Sequence, residues 1–332
     1  MGNLISYLAE AFPPKPKFTL EDIPDLTGKV ILVTGGNTGI GYEITKALLS
    51  RNAKVYIGCR SEEKAKAAIS QLKQESNNEA IFISLDLASL SSVKRAADEL
   101  KSKETQLHVL FNNGLVLDSM LAFTSILTRY PSNSGVMNPP ISKLTTDGFD
   151  LQFGTNVIGH FLLTKLLVPL LSAGAEASST PSRIVNMSSS AQMFVDTINF
   201  NAIHDGPARR KMGPAALYMQ SKFANVVLSN EFARQFVDQN IHSNSLNPGN
   251  LKTDLQRTTP GAFMLFFGWL FSPAPYGALT PLYAGVSPET STWNGKYLIP
   301  WAREGKMRAE AADSKLGQEL WDWLEKATMQ YA

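Results

Sequence analysis

The sequence predicts an α/β fold: one domain with a doubly wound parallel sheet of about seven strands and helices on both faces. Short runs of β-branched and apolar residues alternate with longer segments of helical spacing between residues 26 and 305, a pattern typical of parallel sheets. Two runs, VILVT and RIVNM, are rich enough in apolar residues to suit strands buried on both faces. A chain of 332 residues can build one such core.

The predicted elements follow in chain order. We expect strands at residues 30–34, 54–59, 80–85, 108–111, 183–187, 243–246 and 296–299. Helices are expected to begin near Gly39, Glu62, Ser89, Gly148, Ala215 and Pro275. A Pro-rich leader, residues 1–25, precedes this domain, and residues 306–332 are expected to form a C-terminal helix that begins near Lys315.

The composition argues against several functional classes. The 31 Lys and Arg residues against 29 Asp and Glu give a net charge of +2, and no basic run is long enough to bind nucleic acid. The single cysteine, Cys59, cannot form an intrachain disulfide and fits a reducing compartment. The four histidines have no metal-ligand spacing, so we predict no metal site.

Two segments bear on membrane association. The longest apolar stretch, residues 262–271 (AFMLFFGWLF), is half the length of a spanning helix; it fits a buried helix, a lid over an apolar pocket or an interfacial anchor. Residues 1–6 (MGNLIS) fit the N-myristoylation pattern, and the N-terminus does not resemble a secretory signal. Because one acyl chain binds membranes only marginally, we expect a cytoplasmic protein and leave membrane association open.

A glycine-rich turn between the first strand and the first helix predicts a nucleotide site. Residues 34–41 read TGGNTGIG, and their GxxxGxG spacing differs from the GxGxxG fingerprint. A turn in this position directs free backbone N–H groups and the positive end of the helix dipole at a pyrophosphate. We therefore predict a Rossmann-type dinucleotide site formed by Gly35, Asn37, Thr38, Gly39, Ile40 and Gly41.

The end of the second strand favours NADP(H) over NAD(H). NAD sites usually carry an acid here for the ribose 2′-hydroxyl, whereas this chain has Cys59 followed by Arg60. An arginine can bind a 2′-phosphate through two hydrogen bonds and stack on adenine. Lys64, about one helical turn further on, would reinforce that site. The alternative is that Arg60 is a solvated surface residue.

The strongest chemical signal is Tyr218 with Lys222, four residues apart on one face of a predicted helix. A phenol with a pKa near 10 is a poor acid or base at neutral pH. A neighbouring ammonium must therefore lower the Tyr218 pKa by about 2 to 3 units against the effect of burial. Ser188, Ser189 and Ser190 follow a buried strand, where their hydroxyls would line a site.

These motifs together resemble the short-chain dehydrogenase/reductase family, in particular its retinol-dehydrogenase-like and protochlorophyllide-reductase-like branch, from about residue 26 to residue 300. The loop TGGNTGIG is similar to the family's cofactor motif, and Arg60 occupies the position that NADP-preferring members use. By the same resemblance, the cofactor would also be bound by Asp86, Leu87, Asn113 and Gly114, and the segment Asn247-Pro248-Gly249 with Thr253 would hold the nicotinamide carboxamide.

The resemblance also implies a catalytic tetrad of Tyr218, Lys222, Ser189 and Asn156, with Ser188 as the alternative serine. The family's reaction is the interconversion of an alcohol and a carbonyl by hydride transfer. Tyr218 would pass a proton to or from the substrate oxygen, and Ser189 would hydrogen-bond that oxygen. Lys222 would lower the phenol pKa and hold the nicotinamide ribose, and Asn156 would anchor a water.

One segment departs from the family pattern. Members usually read Asn-Asn-Ala-Gly after the fourth strand, whereas here Asn112-Asn113-Gly114 is followed by twenty extra residues, 115–134. We interpret these as a translated, unspliced intron, because their removal restores Asn-Asn-Gly-Gly-Val-Met and they are compatible with splice signals. The rival interpretation is a genuine loop beside the active site. Sequencing the mature transcript distinguishes the two.

The expected substrate is a lipophilic alcohol, aldehyde or ketone. Residues 254–275 follow the nicotinamide segment and would form a substrate lid, whose aromatic side chains (Phe263, Phe266, Phe267, Trp269 and Phe271) make the pocket apolar. The alternative functions are a catalytically silent NADP-binding protein and a membrane-peripheral interaction protein on the same fold. A homo-oligomer is left open.

Overall fold

The computed structural model describes residues 9–114, 141–252 and 272–331, and within these ranges eight strands form one sheet. They are β1 (Val30–Thr34), β2 (Lys54–Cys59), β3 (Ile81–Ser84), β4 (Val109–Asn112), β5 (Ser182–Met187), β6 (Ile241–Leu246), β9 (Tyr297–Ile299) and β10 (Arg303–Glu304). Two further short strands, β7 (Leu251–Lys252) and β8 (Ser272–Pro273), pair with each other in parallel.

The strand order fixes where a ligand can bind. Across the sheet the order is β10-β9-β6-β5-β4-β1-β2-β3, and every neighbouring pair is parallel except β9 with β10. The winding direction reverses between β1 and β4. Doubly wound sheets bind ligands outside the carboxyl ends of the strands at such a reversal.

The helices connect the strands and cover both faces of the sheet. They are α1 (Gly39–Leu49), α2 (Glu62–Ser76), α3 (Leu90–Lys103), α4 (Leu151–Ser178), α5 (Pro207–Gln235), α6 (Ala274–Val286) and α7 (Ser314–Thr328). Side-chain caps start several of them: Ser61 accepts a hydrogen bond from the backbone N–H of Lys64, and Ser89 from that of Ser92. Such caps satisfy N–H groups that lack an intrahelical partner.

Two hydrophobic clusters, one on each face, confirm the doubly wound arrangement. The first packs α3, α4, α5 and α7 on one face, with Val93, Phe161, Phe223 and Leu320 among its members. The second packs α1, α2 and α6 on the other face, with Ile44, Leu72 and Leu282 among its members. The strands β1 and β5 between them are almost wholly buried, as their apolar runs predict.

The C-terminal helix α7 packs on α4 and α5 through an aromatic cluster. The Trp321 ring meets Phe161 edge-on at a centroid distance of 5.2 Å and contacts Phe232 and Phe236 at 6.0 and 5.8 Å. An ion pair joins Lys165 Nζ to Glu325 Oε1 at 2.5 Å. The helix expected near Lys315 is thus part of the main fold and begins at Ser314.

The structure differs from the predicted elements in a few places. The sheet gains the antiparallel edge strand β10, which is only two residues long. The helix expected from Ala215 belongs to a longer helical segment that begins at Pro207 and bends at Gly213, where φ is 73°. The helix expected near Gly148 begins at Leu151, because the Asp150 carboxylate accepts hydrogen bonds from the N–H groups of Gln152 and Phe153.

Several predictions fall outside the part of the chain that the structure describes. These are the possible intron at residues 115–134, the myristoylation site at Gly2, the cofactor residue Thr253 and the aromatic residues of the expected lid. Among the described helices, Leu151–Ser178 is long and apolar enough to cross a membrane, but 67% of its most apolar window is buried inside the fold. A core helix passes the same test, so this one is weak evidence of a membrane span.

Candidate active site

Tyr218 and Lys222 lie on α5 where this helix passes the carboxyl end of β5. Tyr218 is 2% exposed and Lys222 is fully buried. The Lys222 Nζ atom lies 5.6 Å from the centre of the Tyr218 ring. The four-residue spacing thus brings a phenol and an amine together inside the protein, away from bulk water.

Burial dominates the electrostatics of Lys222. Its Nζ donates a hydrogen bond to the Met187 carbonyl at 3.2 Å. Removal from water disfavours the ammonium and lowers the pKa of Lys222 from 10.5 to about 7. The amine therefore changes charge near neutral pH, where a general acid–base site operates.

The two candidate serines differ in their hydrogen bonds. Ser188 is buried, and its Oγ donates to the backbone carbonyl of Lys222 at 2.7 Å. This bond fixes α5 against the end of β5. Ser189 is half-buried, and its Oγ accepts a bond from the N–H of Ala191 at 3.2 Å, which leaves its proton for another acceptor. The geometry favours Ser189 over Ser188 as the serine that can meet a substrate.

Asn156 lies in a π-helical segment, Gly154–Ile158, within α4. Segments of this type are rare and occur often at functional sites. The Asn156 Nδ2 donates to Ser221 Oγ at 3.0 Å, and Ser221 Oγ donates to the Tyr218 carbonyl at 2.8 Å. Asn156 is thus joined to the helix that carries the Tyr218–Lys222 pair.

His160 contacts the predicted site but is not among the residues predicted from the sequence, since a lone histidine without metal-ligand spacing gives no signal of such a contact. The ring is buried, with Nδ1 3.1 Å from the Asn156 carbonyl and Nε2 2.9 Å from Thr34 Oγ1. Burial lowers the pKa of His160 to about 4, so the ring is neutral at pH 7. The Nδ1–H tautomer fits this network: Nδ1 donates to Asn156 and Nε2 accepts from Thr34.

The glycine loop forms a cradle that leaves no room for a side chain at Gly41 and little at Gly35. Gly35 and Gly39 have φ of 67° and 55°, which favours glycine. A Cβ on Gly41 would overlap the Gly35 carbonyl oxygen and come 2.6 Å from Asn113 Nδ2. Thr38, the N-cap of α1, makes no side-chain cap hydrogen bond, so backbone donors of the first turn remain for a ligand. The cradle therefore fits a pyrophosphate.

The Asn113–Gly114 segment borders this cradle. The N–H groups of Asn113 and Gly114 donate to Thr34 Oγ1 at 2.9 and 2.7 Å, and Asn113 Nδ2 donates to the Thr34 carbonyl at 2.9 Å. These bonds join the ends of β1 and β4 at the winding reversal. Asn113 and Gly114 thus lie at the carboxyl edge of the sheet, where a cofactor is expected.

The predicted adenosine-side residues lie at the ends of β2 and β3. Arg60 and Lys64 are exposed, while Cys59 is buried. Asp86 is half-buried with Oδ1 bound to the Ala88 N–H at 3.0 Å, and Leu87 is buried. Pro248 and Gly249 follow β6, on the opposite side of the winding reversal. The predicted cofactor residues that the structure describes thus line the carboxyl edge of the sheet.

A glycine cradle at the winding reversal and a buried tyrosine–lysine pair beside it define a dinucleotide-binding oxidoreductase. Residues 29–202 match the short chain dehydrogenase family. A short-chain dehydrogenase/reductase of Armillaria gallica is 52% identical over 332 residues, which cover 100% of both chains. The chain belongs to the short-chain dehydrogenase/reductase family, whose members bind NAD(P) and oxidise alcohols or reduce carbonyls.

Two more distant proteins extend the comparison. Retinol dehydrogenase 14 of Mus musculus is 34% identical over 315 residues, with 90% of this chain and 85% of that protein aligned. The solved complex of RhlG with NADP, from Pseudomonas aeruginosa, has a TM-score of 0.63 at 23% identity and covers 84% of this chain and 96% of RhlG. At 23% identity, the similarity to RhlG concerns the fold alone.

Proposed function

We propose that this protein is an NADP(H)-dependent oxidoreductase that interconverts a lipophilic alcohol and its aldehyde or ketone, with Tyr218, Lys222, Ser189 and Asn156 as its tetrad. The observation that carries the proposal is the buried pair on α5: the Tyr218 ring lies 5.6 Å from the Lys222 amine. A shielded phenol beside a titratable amine is suited to proton transfer to or from a substrate oxygen.

In the reductive direction, the Tyr218 hydroxyl gives its proton to the carbonyl oxygen as that oxygen gains negative charge. The Ser189 hydroxyl donates a hydrogen bond to the same oxygen. A bound dihydronicotinamide would supply the hydride. The Lys222 ammonium stabilises the phenolate that Tyr218 becomes, because opposite charges attract each other inside the protein. Asn156 is a positioning residue that acts on Tyr218 through Ser221.

The preference for NADP(H) rests on the end of β2. Arg60 is exposed, and the buried thiol of Cys59 stands in place of an acid. An acid there would accept a hydrogen bond from the ribose of NAD, whereas a guanidinium favours a 2′-phosphate. The NADP complex of the structurally similar RhlG is consistent with this assignment.

The preference for an apolar substrate rests on two observations. The aromatic side chains of residues 254–275 predict an apolar pocket, and the mouse relative is named for retinol. We propose that the protein is cytoplasmic. Its association with membranes is tested by comparing the liposome flotation of the wild type with that of Gly2→Ala.

Substitution of one hydroxyl tests the catalytic proposal. Tyr218→Phe should lower kcat at least a hundredfold, because it removes the proton donor, while NADPH binding by fluorescence titration stays within about threefold. Tyr331→Phe is the matched control. It removes a hydroxyl on the C-terminal turn that donates a hydrogen bond to Asp147 Oδ1 at 2.9 Å. The substrates are a panel of long-chain aldehydes, ketones, sugars and hydroxy acids. Unchanged turnover in Tyr218→Phe would instead support the silent binding protein.

A further inference from the structure

The N-terminal segment places a buried acid at the carboxyl edge of the sheet. Glu10 is 3% exposed, although acidic side chains are almost never fully buried without partners. Its Oε2 accepts a hydrogen bond from Asn247 Nδ2 at 2.7 Å. The two residues are 237 positions apart in sequence, and the tetrad and the glycine cradle make no use of Glu10.

Asn247 carries this contact into the proposed cofactor loop. Its Oδ1 accepts the N–H of Gly249 at 3.0 Å, and Gly249 has φ of 95°. The two ends of one amide thus contact Glu10 on one side and the Pro248–Gly249 turn on the other. Because an amide has a donor end and an acceptor end, the acceptor on Glu10 orients Asn247 so that its oxygen faces Gly249.

Two strands, β9 and β10, supply further neighbours of Glu10. The Tyr297 hydroxyl on β9 lies 3.4 Å from Glu10 Oε2 and 3.4 Å from the Ser189 carbonyl. Arg303 on β10 donates from Nη2 to the Ala9 carbonyl at 3.0 Å and is the cation that acts on Glu10. Glu10 therefore lies between the segment of the proposed catalytic serine and the loop predicted to hold the nicotinamide.

We propose that Glu10 is a positioning residue for the cofactor: through Asn247 it holds the Pro248–Gly249 turn in the shape that receives the nicotinamide end of NADP(H). The inference rests on the proposed function of that turn. It makes the N-terminal segment a working part of the active site. We expect its effect on cofactor affinity, since Glu10 reaches the turn through Asn247.

The contact should weaken in mild acid. Burial raises the pKa of Glu10 to about 7, although Asn247, Tyr297 and Arg303 oppose the shift. Above pH 7 the Glu10 carboxylate accepts a charge-assisted hydrogen bond from Asn247. Below pH 7 the carboxyl group is protonated and neutral, so this hydrogen bond is weaker. Lys222 titrates in the same range, so the wild type must be compared with a variant that differs only at residue 10.

The experiment measures NADPH dissociation constants and steady-state kinetics for the full chain and three variants. We expect Glu10→Ala to bind NADPH about tenfold more weakly with kcat within about twofold, because it removes an acceptor used by a charge-assisted bond. Glu10→Gln keeps an acceptor for Asn247. Compared with the wild type, this variant should bind NADPH about threefold more weakly at pH 8, and the difference should vanish towards pH 6. Glu21→Gln, an exposed acid of the same segment, is the control and should match the wild type.

A double substitution shows whether Glu10 acts through Asn247. The Glu10→Ala/Asn247→Ala chain should bind NADPH no more weakly than Asn247→Ala alone. Three outcomes would overturn the inference. They are an unchanged NADPH affinity in Glu10→Ala, equal losses of kcat and NADPH affinity in that variant, and additive losses of affinity in the double variant. If Glu10→Ala fails to fold, the NADPH dissociation constants of Glu10→Gln and the wild type are compared instead. A ratio of these two constants that does not change with pH would overturn the inference. A wild type that binds no nicotinamide cofactor refutes the proposed function itself.

Discussion

The Nε2 atom of His160 lies 2.9 Å from the hydroxyl oxygen of Thr34, two residues that are 126 positions apart. The same Thr34 hydroxyl accepts the N–H groups of Asn113 and Gly114, and the other ring nitrogen faces the Asn156 carbonyl at 3.1 Å. One neutral imidazole therefore connects the proposed cofactor cradle with the π-helical segment that carries Asn156, a residue of the proposed tetrad.

Replacement of His160 should disturb both regions together. His160→Phe leaves a buried hydroxyl and a buried carbonyl without this partner, so we expect the free energy of unfolding to fall by about 3 kcal/mol and NADPH to bind more weakly. Urea denaturation and fluorescence titration measure the two effects. His242→Gln, at a half-buried ring bound to the Ser291 carbonyl, is the control. Unchanged values in His160→Phe would mean that the connection carries no energy.

The two serines after β5 should separate stability from catalysis. Ser188→Ala removes a buried bond to the Lys222 carbonyl and should lower the free energy of unfolding by about 1 to 2 kcal/mol. Ser189→Ala should leave stability within about 0.5 kcal/mol but lower kcat about a hundredfold, because a donor to the reacting oxygen is lost. Thermal melts and steady-state kinetics on both variants test this prediction. A large loss of kcat in Ser188→Ala, with only a loss of stability in Ser189→Ala, would assign the catalytic role to Ser188.

Arg60 should determine the choice between the two nicotinamide cofactors. Arg60→Ala is expected to weaken NADPH binding by about 10- to 100-fold, the loss of one charge-assisted contact, with little change for NADH. Arg95→Ala, an exposed arginine on α3, is the control. Equal loss of both cofactors would show that Arg60 acts on the adenosine rather than on the 2′-phosphate.

Lys222 should give stability a distinctive dependence on pH. Its pKa is about 7 in the folded chain and 10.5 in the reference state. Between these values the unfolded chain binds more protons, so this residue makes stability rise with pH from 7 to 10.5. Lys222→Met should thus be more stable than the wild type at pH 6, by on the order of 3 kcal/mol, with a smaller gain at pH 10.

The same variant provides a kinetic check on Lys222. The Met187 carbonyl keeps its bond from Asn225 Nδ2 at 3.0 Å, so the substitution leaves no unpaired acceptor. The variant should nevertheless lose at least a hundredfold in kcat. A gain in stability that is constant from pH 6 to pH 10 would contradict a buried, titrating amine.

Local patterns predicted most of the sheet and the two residues on α5. The bounds of β1 and β2 agree with those expected, because both strands are buried runs between clear turn signals. Tyr218 and Lys222 were recognisable because one turn of one helix brings them together. The strand β10 was missed because two residues carry no periodicity, and its pairing depends on the turn after β9.

The remaining site residues depend on contacts between distant parts of the chain. Glu10 meets Asn247 across 237 positions and His160 meets Thr34 across 126, so no spacing along the sequence can indicate them. A lone glutamate in a Pro-rich leader is usually solvated. Only the fold places that leader at the carboxyl edge of the sheet.

The C-terminal helix has a consequence for α5. Trp321 and its neighbours on α7 occupy the side of α4 and α5 that faces away from the sheet. The part of α4 and α5 that Trp321 covers is therefore occupied by the chain's own C-terminal helix. The helix that bears the proposed proton donor is thus supported by aromatic contacts from within its own polypeptide.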